Sequence, residues 1–375
     1  MDIDTTVAER YSAGAKERQA ALCCPVDYAS ELLAILPQEI IEKDYGCGDP
    51  SRYVRSGDIV LDLGSGGGKI CYMAAQLVGP HGQVIGVDMN DDMLALARKY
   101  QPQMAQIFGG ERVRFVKGAI QDMALDVAAL DRHLAEHPVR DAADLAQLRN
   151  WQEQQCKTQP LIADGSVDLV ISNCVLNLVR DDEKRQLVQE IFRVLKPGGR
   201  VAISDIVSDE LVPAHLKADP DLWSGCISGA FGEQEFVRAF VDAGFMAVKL
   251  DKWDAQPWQV VEGIEFRSVT LLATKGHGKE CIDRGHAVIY RGPFAEVRDE
   301  EGHVFPRGER MAVCERTFRF LTEGPYQENF IGIAPAVLSE PRSWCAPPNT
   351  RRSPAVTKGA RHGLDGADCG DTKCC

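Results

Sequence analysis

Apolar and polar residues alternate along residues 59–273 in a pattern that predicts short strands separated by helices. Seven apolar runs rich in β-branched residues predict strands at 59–63, 84–88, 113–117, 167–172, 200–205, 246–250 and 267–273. Apolar residues that recur every three or four positions predict helices at 5–20, 89–100, 181–194 and 233–243. This alternation predicts an α/β fold with a mainly parallel sheet covered on both faces.

The pattern changes twice along the chain. Residues 122–158 are charged and mostly helical in pattern, which predicts an insertion before the fourth strand. After residue 278, short β-like runs at 287–290 and 311–318 predict a small mixed domain over 279–340. From 341 to 375 Pro, Arg, Gly and Ser dominate, which predicts a flexible tail that ends in Cys369, Cys374 and Cys375.

A glycine-rich turn joins the first predicted strand to a helix. Gly64, Gly66, Gly67 and Gly68 leave the backbone open to a ligand, and the helix that follows offers unpaired N–H groups. Lys69 stands where the third glycine of a dinucleotide-binding loop would fall, so the turn instead resembles the S-adenosylmethionine (SAM) loop of class I methyltransferases. Asp88 ends the second strand about 20 residues later, where a doubly wound fold places the carboxylate for ribose hydroxyls.

Composition and charge narrow the possible partners and compartment. The 375 residues are 45% hydrophobic and 26% charged, and the net charge of -13 argues against nucleic acid or an anionic membrane as a partner. The chain starts without the apolar segment of a signal peptide and has no run of about 20 apolar residues, so we expect a cytoplasmic protein. Thirteen cysteines are too sparse for a disulfide scaffold, and in a reducing compartment they suggest soft-metal or redox chemistry.

Four cysteines lie near the predicted cofactor edge. Cys174 follows the fourth strand, Cys226 lies in the connection after the fifth, and Cys71 lies in the helix after the glycine turn. Cys47 is flanked by glycines, which predicts an unhindered thiol on a pliable backbone. For each cysteine alone, a buried small hydrophobic side chain is the alternative. Together they predict that several thiols converge where a cofactor's methyl group would lie.

The motifs around these cysteines resemble the SAM-dependent arsenite methyltransferases over most of the chain. The matching segments are Tyr45-Gly46-Cys47-Gly48, Leu61 to Tyr72, Ser172-Asn173-Cys174, Gly225-Cys226-Ile227-Ser228-Gly229-Ala230 and Val288-Ile289-Tyr290. The resemblance implies a Rossmann-like class I methyltransferase with a seven-stranded sheet over residues 1–278. One departure is Tyr11-Ser12-Ala13-Gly14, which stands where the family has a Tyr-Tyr-Gly pattern and leaves the cofactor contacts of that helix open.

The resemblance also implies roles for individual residues. Cys47, Cys174 and Cys226 would bind As(III), and Cys23 or Cys24 would pair with Cys47 as a disulfide during turnover. Cys71 receives no required role. The residues implied in SAM binding are Asp62, Gly64, Ser65, Gly66, Asp88, Met89, Ile120, Gln121 and Asn173.

The function expected from this resemblance is methyl transfer from SAM to a small arsenical held by three thiolates. Thioredoxin or glutathione would then act as the reductant. One alternative is a SAM methyltransferase of an organoarsenical or another small organic molecule. Another is a non-catalytic thiol-rich arsenic buffer, which leaves the glycine turn and Asp88 unexplained. The Cys369, Cys374 and Cys375 thiols are either an arsenite relay or an inert tail.

Overall fold

Strands alternate with helices through the first two thirds of the chain, as the apolar pattern predicts. The computed structural model describes residues 3–19, 26–278, 280–344, 346–347 and 349–358. The chain divides into two units, residues 1–275 and 276–375. None of the helices in the described ranges is both long enough and apolar enough to cross a bilayer.

The first unit is built on one sheet. Its strands are β1 Ile59–Leu63, β2 Gln83–Asp88, β3 Val113–Lys117, β4 Val167–Asn173, β5 Leu195–Ser208, β6 Phe231–Gly232, β7 Phe245–Trp253, β8 Gln259–Val261 and β9 Ile264–Lys275. The main strands lie in the order β3-β2-β1-β4-β5-β9-β7, and the short strands β6 and β8 pair with β5 and β9. β1 to β5 are parallel, whereas β9 is antiparallel to both of its main neighbours. All seven predicted strands are present, and the predicted α/β class is confirmed.

The helices of this unit lie between the strands. They are α1 Ile3–Lys16, α2 Ser30–Leu33, α3 Gln38–Glu42, α4 Lys69–Val78, α5 Asp91–Lys99, α6 Gln101–Phe108, α7 Val127–Glu136, α8 Ala142–Thr158, α9 Lys184–Val194, α10 Ala214–Lys217, α11 Pro220–Ser224 and α12 Glu233–Asp242. The segment that the sequence marks as a helical insertion forms α7 and α8.

Both faces of the sheet are apolar, because the strands are apolar at successive positions and successive side chains point to opposite faces. Along β1, Leu61 and Leu63 belong to one buried cluster with Phe240 of α12, while Val60 belongs to another with Met73 of α4. Burying a parallel sheet on two faces leaves its carboxyl-terminal edge as the place where polar loops gather. β1 pairs with β2 on one side and β4 on the other, so the loops after these three strands are neighbours.

The second unit is small and mixed. Its elements are β10 Ile282–Asp283, β11 Ala287–Tyr290, β12 Glu296–Arg298, β13 Val304–Pro306, β14 Arg310–Ala312, α13 Glu315–Thr322, β15 Phe330–Ile333, β16 Arg342–Ser343 and α14 Pro354–Lys358. β11 has the predicted bounds, but the predicted strand at 311–318 is wrong in its second half. The chain turns into α13 there, because the Cys314 Sγ accepts the Thr317 N–H at the start of the helix.

The first part of the predicted flexible tail is ordered in the structure. Asp283 is buried and accepts hydrogen bonds from Arg352 at 2.6 Å and from Arg342 at 2.9 Å. β16 pairs with β10, and α14 follows. Hydrogen bonds to this one buried carboxylate hold Arg342 and Arg352 in fixed places that the composition of the segment does not reveal. The three cysteines at the end of the tail, Cys369, Cys374 and Cys375, lie outside the described residues.

Candidate functional site

A cavity of about 560 Å³ opens at the carboxyl edge of the sheet, beside the loops after β1, β2 and β4. It brings together every residue that the sequence resemblance implies in cofactor binding. Those lining residues are Asp62, Gly64, Ser65, Gly66, Asp88, Met89, Ile120, Gln121 and Asn173. Cys174 also lines the cavity, so a thiol-bearing loop and the glycine turn share one space.

The glycine turn forms one wall of this cavity with its backbone. Gly64 has a φ of 65°, and a Cβ at this position would lie 2.4 Å from a methyl carbon of Val175. The Gly66 N–H donates to the Asp88 carboxylate at 2.8 Å, which ties the turn to the end of β2. Only a residue without a side chain fits at Gly64, and the turn therefore offers a ligand a bare backbone surface.

Two carboxylates face the turn, and that of Asp62 is buried. Burial raises the pKa of Asp88, whose oxygens accept the N–H groups of Gly66 and Asn90. Burial also raises the pKa of Asp62 to about 7, and its Oδ2 accepts the Cys71 thiol at 3.1 Å. Burial raises the pKa of Cys71 as well, so this thiol is a neutral donor that holds Asp62 rather than a nucleophile.

Asn173 fixes the Cys47 loop against the end of β4. Its Oδ1 accepts the N–H groups of Cys47 at 2.9 Å and of Gly48 at 3.0 Å, and its Nδ2 donates to the Gly48 carbonyl at 2.8 Å. The Ser268 hydroxyl donates to the Cys47 carbonyl at 2.6 Å. Asn173 lines the cavity, yet most of its hydrogen-bonding capacity goes to positioning Cys47.

The glycines beside Cys47 serve close packing. A Cβ on Gly46 would lie 2.2 Å from Asn173 Nδ2, and one on Gly48 would lie 2.4 Å from the Ser204 Cβ. The sequence interpretation of a pliable, unhindered loop is therefore wrong, since Cys47 is only 1% exposed and its backbone is bonded on both sides. The glycines let the loop approach the sheet closely enough for its thiol to reach Cys174.

The structure brings the three predicted arsenic-binding cysteines together. Cys47 and Cys174 are disulfide-bonded, with their Cα atoms 5.9 Å apart. The Cys226 thiol donates to the Cys174 carbonyl at 3.2 Å. The implied turnover partners of Cys47, Cys23 and Cys24, lie outside the described residues.

Cys174 and Cys226 share an unusual backbone conformation. Their φ angles are 60° and 61°, in the left-handed region that costs a non-glycine residue about 1–2 kcal/mol. The Cys174 N–H donates to the Ser204 carbonyl and the Cys226 N–H to the Trp223 carbonyl, which hold the two residues in place. Strain of this kind persists where the surroundings over-determine it, as at binding sites.

Asp205 is a site residue that sequence reasoning missed. One of its carboxylate oxygens and the sulfurs of Cys47 and Cys174 all lie within 4.8 Å of one another. Burial raises its pKa to about 7, and its oxygens accept the N–H groups of Leu176 and Ile206. The available signal was its place as the last residue of the predicted fifth strand.

Helix α1 lies along the cavity and contacts the third cysteine. Tyr11 lines the cavity, and its hydroxyl lies 3.9 Å from the Cys226 Sγ. Burial, together with the nearby Cys226, raises the pKa of Tyr11. Arg10 donates to the Asp221 carbonyl and the Ser224 hydroxyl of α11, and Asn90 donates to the Ala8 carbonyl. Helix α1, whose cofactor contacts the sequence left open, therefore contacts both the loop after β2 and the segment that carries Cys226.

Comparisons with known proteins identify relatives of this chain. A methyltransferase domain model matches residues 55–143 and 136–244, and a domain of unknown function, DUF8838, matches 277–362. An arsenite methyltransferase of Aquipseudomonas alcaligenes is 32% identical over 336 residues, which cover 83% of this chain and 84% of that protein. The human arsenite methyltransferase is 28% identical over 80% of this chain and 74% of its own length.

A solved structure is similar to most of the chain. It is the crystal structure of an arsenic(III) S-adenosylmethionine methyltransferase from Chlamydomonas reinhardtii, which is 28% identical. The match has a TM-score of 0.57 and covers 86% of this chain and 99% of the algal chain.

Proposed function

The chain belongs to the arsenite methyltransferase family, and we propose that it transfers methyl groups from SAM to As(III) bound by the thiolates of Cys47, Cys174 and Cys226. Its class I methyltransferase fold, predicted from the sequence, is confirmed by the domain match and the algal structure. The alternative of a methyltransferase for other organic molecules is not favoured, because the relatives that cover most of the chain act on arsenite by name.

The cavity fits an adenosyl cofactor. The Gly64 turn presents bare backbone where a Cβ would fill the space, and the Asp88 carboxylate is fixed beside it. Ile120 and Gln121 line the same cavity and would border the adenine, while Asp88 and Met89 would hold the ribose and adenosine. When bound, SAM supplies a methyl group carried on a positively charged sulfonium sulfur.

The observation that carries the proposal is the meeting of three cysteines at the cavity. Cys174 lines the cavity. Cys47 is disulfide-bonded to Cys174, and the Cys226 thiol donates to the Cys174 carbonyl. Arsenic(III) is soft and prefers thiolate sulfur. Three thiolates leave its lone pair as the nucleophile, so no general base is required and the residues contribute chiefly by positioning.

Methylation withdraws the lone pair and oxidises arsenic formally from the +3 to the +5 state. Two electrons from a pair of thiolates restore As(III), and the two sulfurs become a disulfide. The closeness of Cys47 and Cys174 supports this pair as one source of the electrons, and the family resemblance adds Cys23 or Cys24 as a partner of Cys47. Thioredoxin or glutathione in the cytoplasm would then regenerate the thiols.

The test is the replacement Cys174→Ser, assayed with SAM and As(III) by chromatography with arsenic detection. Loss of one soft ligand should lower methylarsenical formation by at least about 100-fold. Cys156→Ser in α8 is the matched control and should keep wild-type activity, since Cys156 does not line the cavity. Full methylation by the Cys174→Ser protein, or SAM turnover on an organic acceptor without arsenic, would refute the thiolate site.

A further inference from the structure

Asp205 places a buried carboxylate beside the sulfurs of the arsenic site. Its side chain has no solvent exposure, and the cavity-lining Cys174 and the neighbouring Cys47 both have their sulfurs within 4.8 Å of its oxygen. The N–H groups of Leu176 at 2.9 Å and Ile206 at 2.8 Å fix its orientation. A carboxylate taken out of water is costly, so its presence here calls for a compensating role.

No charged side chain near Asp205 in the described residues pairs directly with its carboxylate, so its negative charge acts on the neighbouring sulfurs. Lys184 is the cation that acts on Asp205, but its Nζ is already paired with Asp181 at 2.6 Å and bonded to the Gly229 carbonyl. Tyr11 faces the same region, and it is a neutral phenol because burial raises its pKa. No side chain in the described residues donates a hydrogen bond to the Asp205 oxygens.

We propose that Asp205 stabilises the positive charge that cysteine-bound arsenic acquires as it is methylated, an inference that rests on the proposed function. Arsenic held by three thiolates is neutral. When its lone pair forms the As–C bond, the C–S bond of the sulfonium breaks and its electron pair stays on that sulfur. The positive charge thus moves from the sulfonium to the arsenic–thiolate unit, and neither a proton nor an external electron is needed.

A preorganised carboxylate suits this step. Fixed charges in a water-excluded site act strongly on charge that develops in the transition state and require no reorganisation at that moment. Asp205 satisfies both conditions, since it is buried and held by two backbone donors. As(III) prefers thiolate sulfur to carboxylate oxygen, so Asp205 acts as an electrostatic partner of the site rather than as another arsenic ligand.

The first test is the isosteric replacement Asp205→Asn, measured in single turnovers at about pH 8, where ordinary carboxyl groups are ionised. We expect the methyl-transfer rate to fall by about 10- to 100-fold. The dissociation constants for As(III) and for S-adenosylhomocysteine should change by less than roughly threefold, because the substitution keeps the shape of the side chain and removes only its charge and one of its two backbone hydrogen bonds. Asp58→Asn, a buried aspartate before β1 at the opposite end of the sheet, is the control.

The second test measures the local potential without turnover. The reduced protein is alkylated in parallel with neutral iodoacetamide and anionic iodoacetate, and modification of Cys174 is quantified by peptide mass spectrometry. Both reagents attack the same thiolate, so the ratio of their rates cancels the thiolate fraction and reports the charge nearby. Asp205→Asn should raise the iodoacetate-to-iodoacetamide ratio by about three- to tenfold, and Asp58→Asn should leave it unchanged.

The outcomes separate the two hypotheses. If the wild-type protein forms no methylarsenical, the proposed function fails. If the wild-type protein forms methylarsenicals, and the Asp205→Asn protein has the same methyl-transfer rate or the same alkylation ratio as wild type, only the Asp205 inference fails. Loss of S-adenosylhomocysteine binding in Asp205→Asn would point to a structural role. The isosteric pair Asp205→Glu and Asp205→Gln then decides: a Glu variant at least about tenfold faster than the Gln variant supports the charge, and equal rates or no cofactor binding by either overturns it.

Discussion

Replacing Asn173 with alanine tests whether this one side chain holds the Cys47 thiol at Cys174. Asn173 makes three hydrogen bonds to the backbone of residues 47–48, between 2.8 and 3.0 Å long. It is 7% exposed, so water does not readily replace these bonds in the variant. We expect the Cys47 loop to lose its fixed position against the end of β4, while β4 itself remains folded.

The expected magnitude follows from those contacts. A typical intramolecular hydrogen bond contributes about 1 kcal/mol net, so three contribute about 3 kcal/mol to holding the loop. Since each 1.4 kcal/mol is a factor of ten, the effective concentration of Cys47 at Cys174 should fall by about 100-fold. Asn173→Asp keeps the acceptor for the two N–H groups but loses the donor to the Gly48 carbonyl, which contributes about 1 kcal/mol, so in this variant the effective concentration should fall by about fivefold.

The assay is thiol–disulfide equilibrium in glutathione buffers. Reduced protein is equilibrated, quenched with acid and alkylated, and the disulfide-linked peptides of Cys47 and Cys174 are quantified by mass spectrometry. The equilibrium constant gives the effective concentration directly. Far-ultraviolet circular dichroism and the urea unfolding midpoint, neither of which depends on cofactor contacts, report whether the sheet remains folded in each variant.

A wild-type effective concentration in the Asn173→Ala protein would refute this reasoning. It would mean that Ser268 and the packing of the flanking glycines suffice to hold the loop. An equal loss in the Ala and Asp variants would show instead that the donor to the Gly48 carbonyl provides nearly all of the restraint.

Three further predictions follow from other contacts. Cys226→Gly should be more stable to urea than Cys226→Ser by about 1 kcal/mol, although both lack the thiol, because φ is 61° there. Lys69→Met should lower the free energy of unfolding by about 3 kcal/mol or more, because it leaves the Asp44 carboxylate without the Lys69 ammonium that lies 2.5 Å away. Adding Asp44→Asn should restore part of this loss in urea unfolding. Burial raises the pKa of Asp283, but hydrogen bonds from a backbone N–H and Arg352 outweigh it and lower the pKa. The stabilisation by Asp283 is thus complete above about pH 4 and is lost as the pH falls through the lowered pKa, so the melting temperatures of wild type and Asp283→Asn should converge in acid.

The local pattern of the chain determined much of the first unit. β1 and β3 have the bounds that the apolar runs predict, because a buried strand needs side chains that pack on both faces of the sheet. The places of the glycine turn and of Asp88 follow from the same pattern, since a parallel sheet gathers its loops at one edge. The sequence motifs also identified the three cysteines that the structure brings together.

The apolar pattern failed in two places, one decided by a local helix cap and the other by a distant partner. The run at 311–318 alternates like a strand, yet Cys314 starts a helix through its contact with Thr317. The segment from 342 has the composition of a flexible tail, yet Asp283 orders it through Arg352, which lies 69 residues away. The amino-acid composition of a segment does not reveal a single buried ion pair of this kind.

The thiol site shows the same division. The sequence by itself determined which cysteines follow the strands and which loop is bare of side chains. Only the tertiary structure decided that the glycines beside Cys47 serve close packing, that Asn173 holds a loop 125 residues away, and that Asp205 lies beside the sulfurs. Spacing along a chain reports the local environment of each residue, whereas these contacts arise only when the sheet places separate loops at one edge.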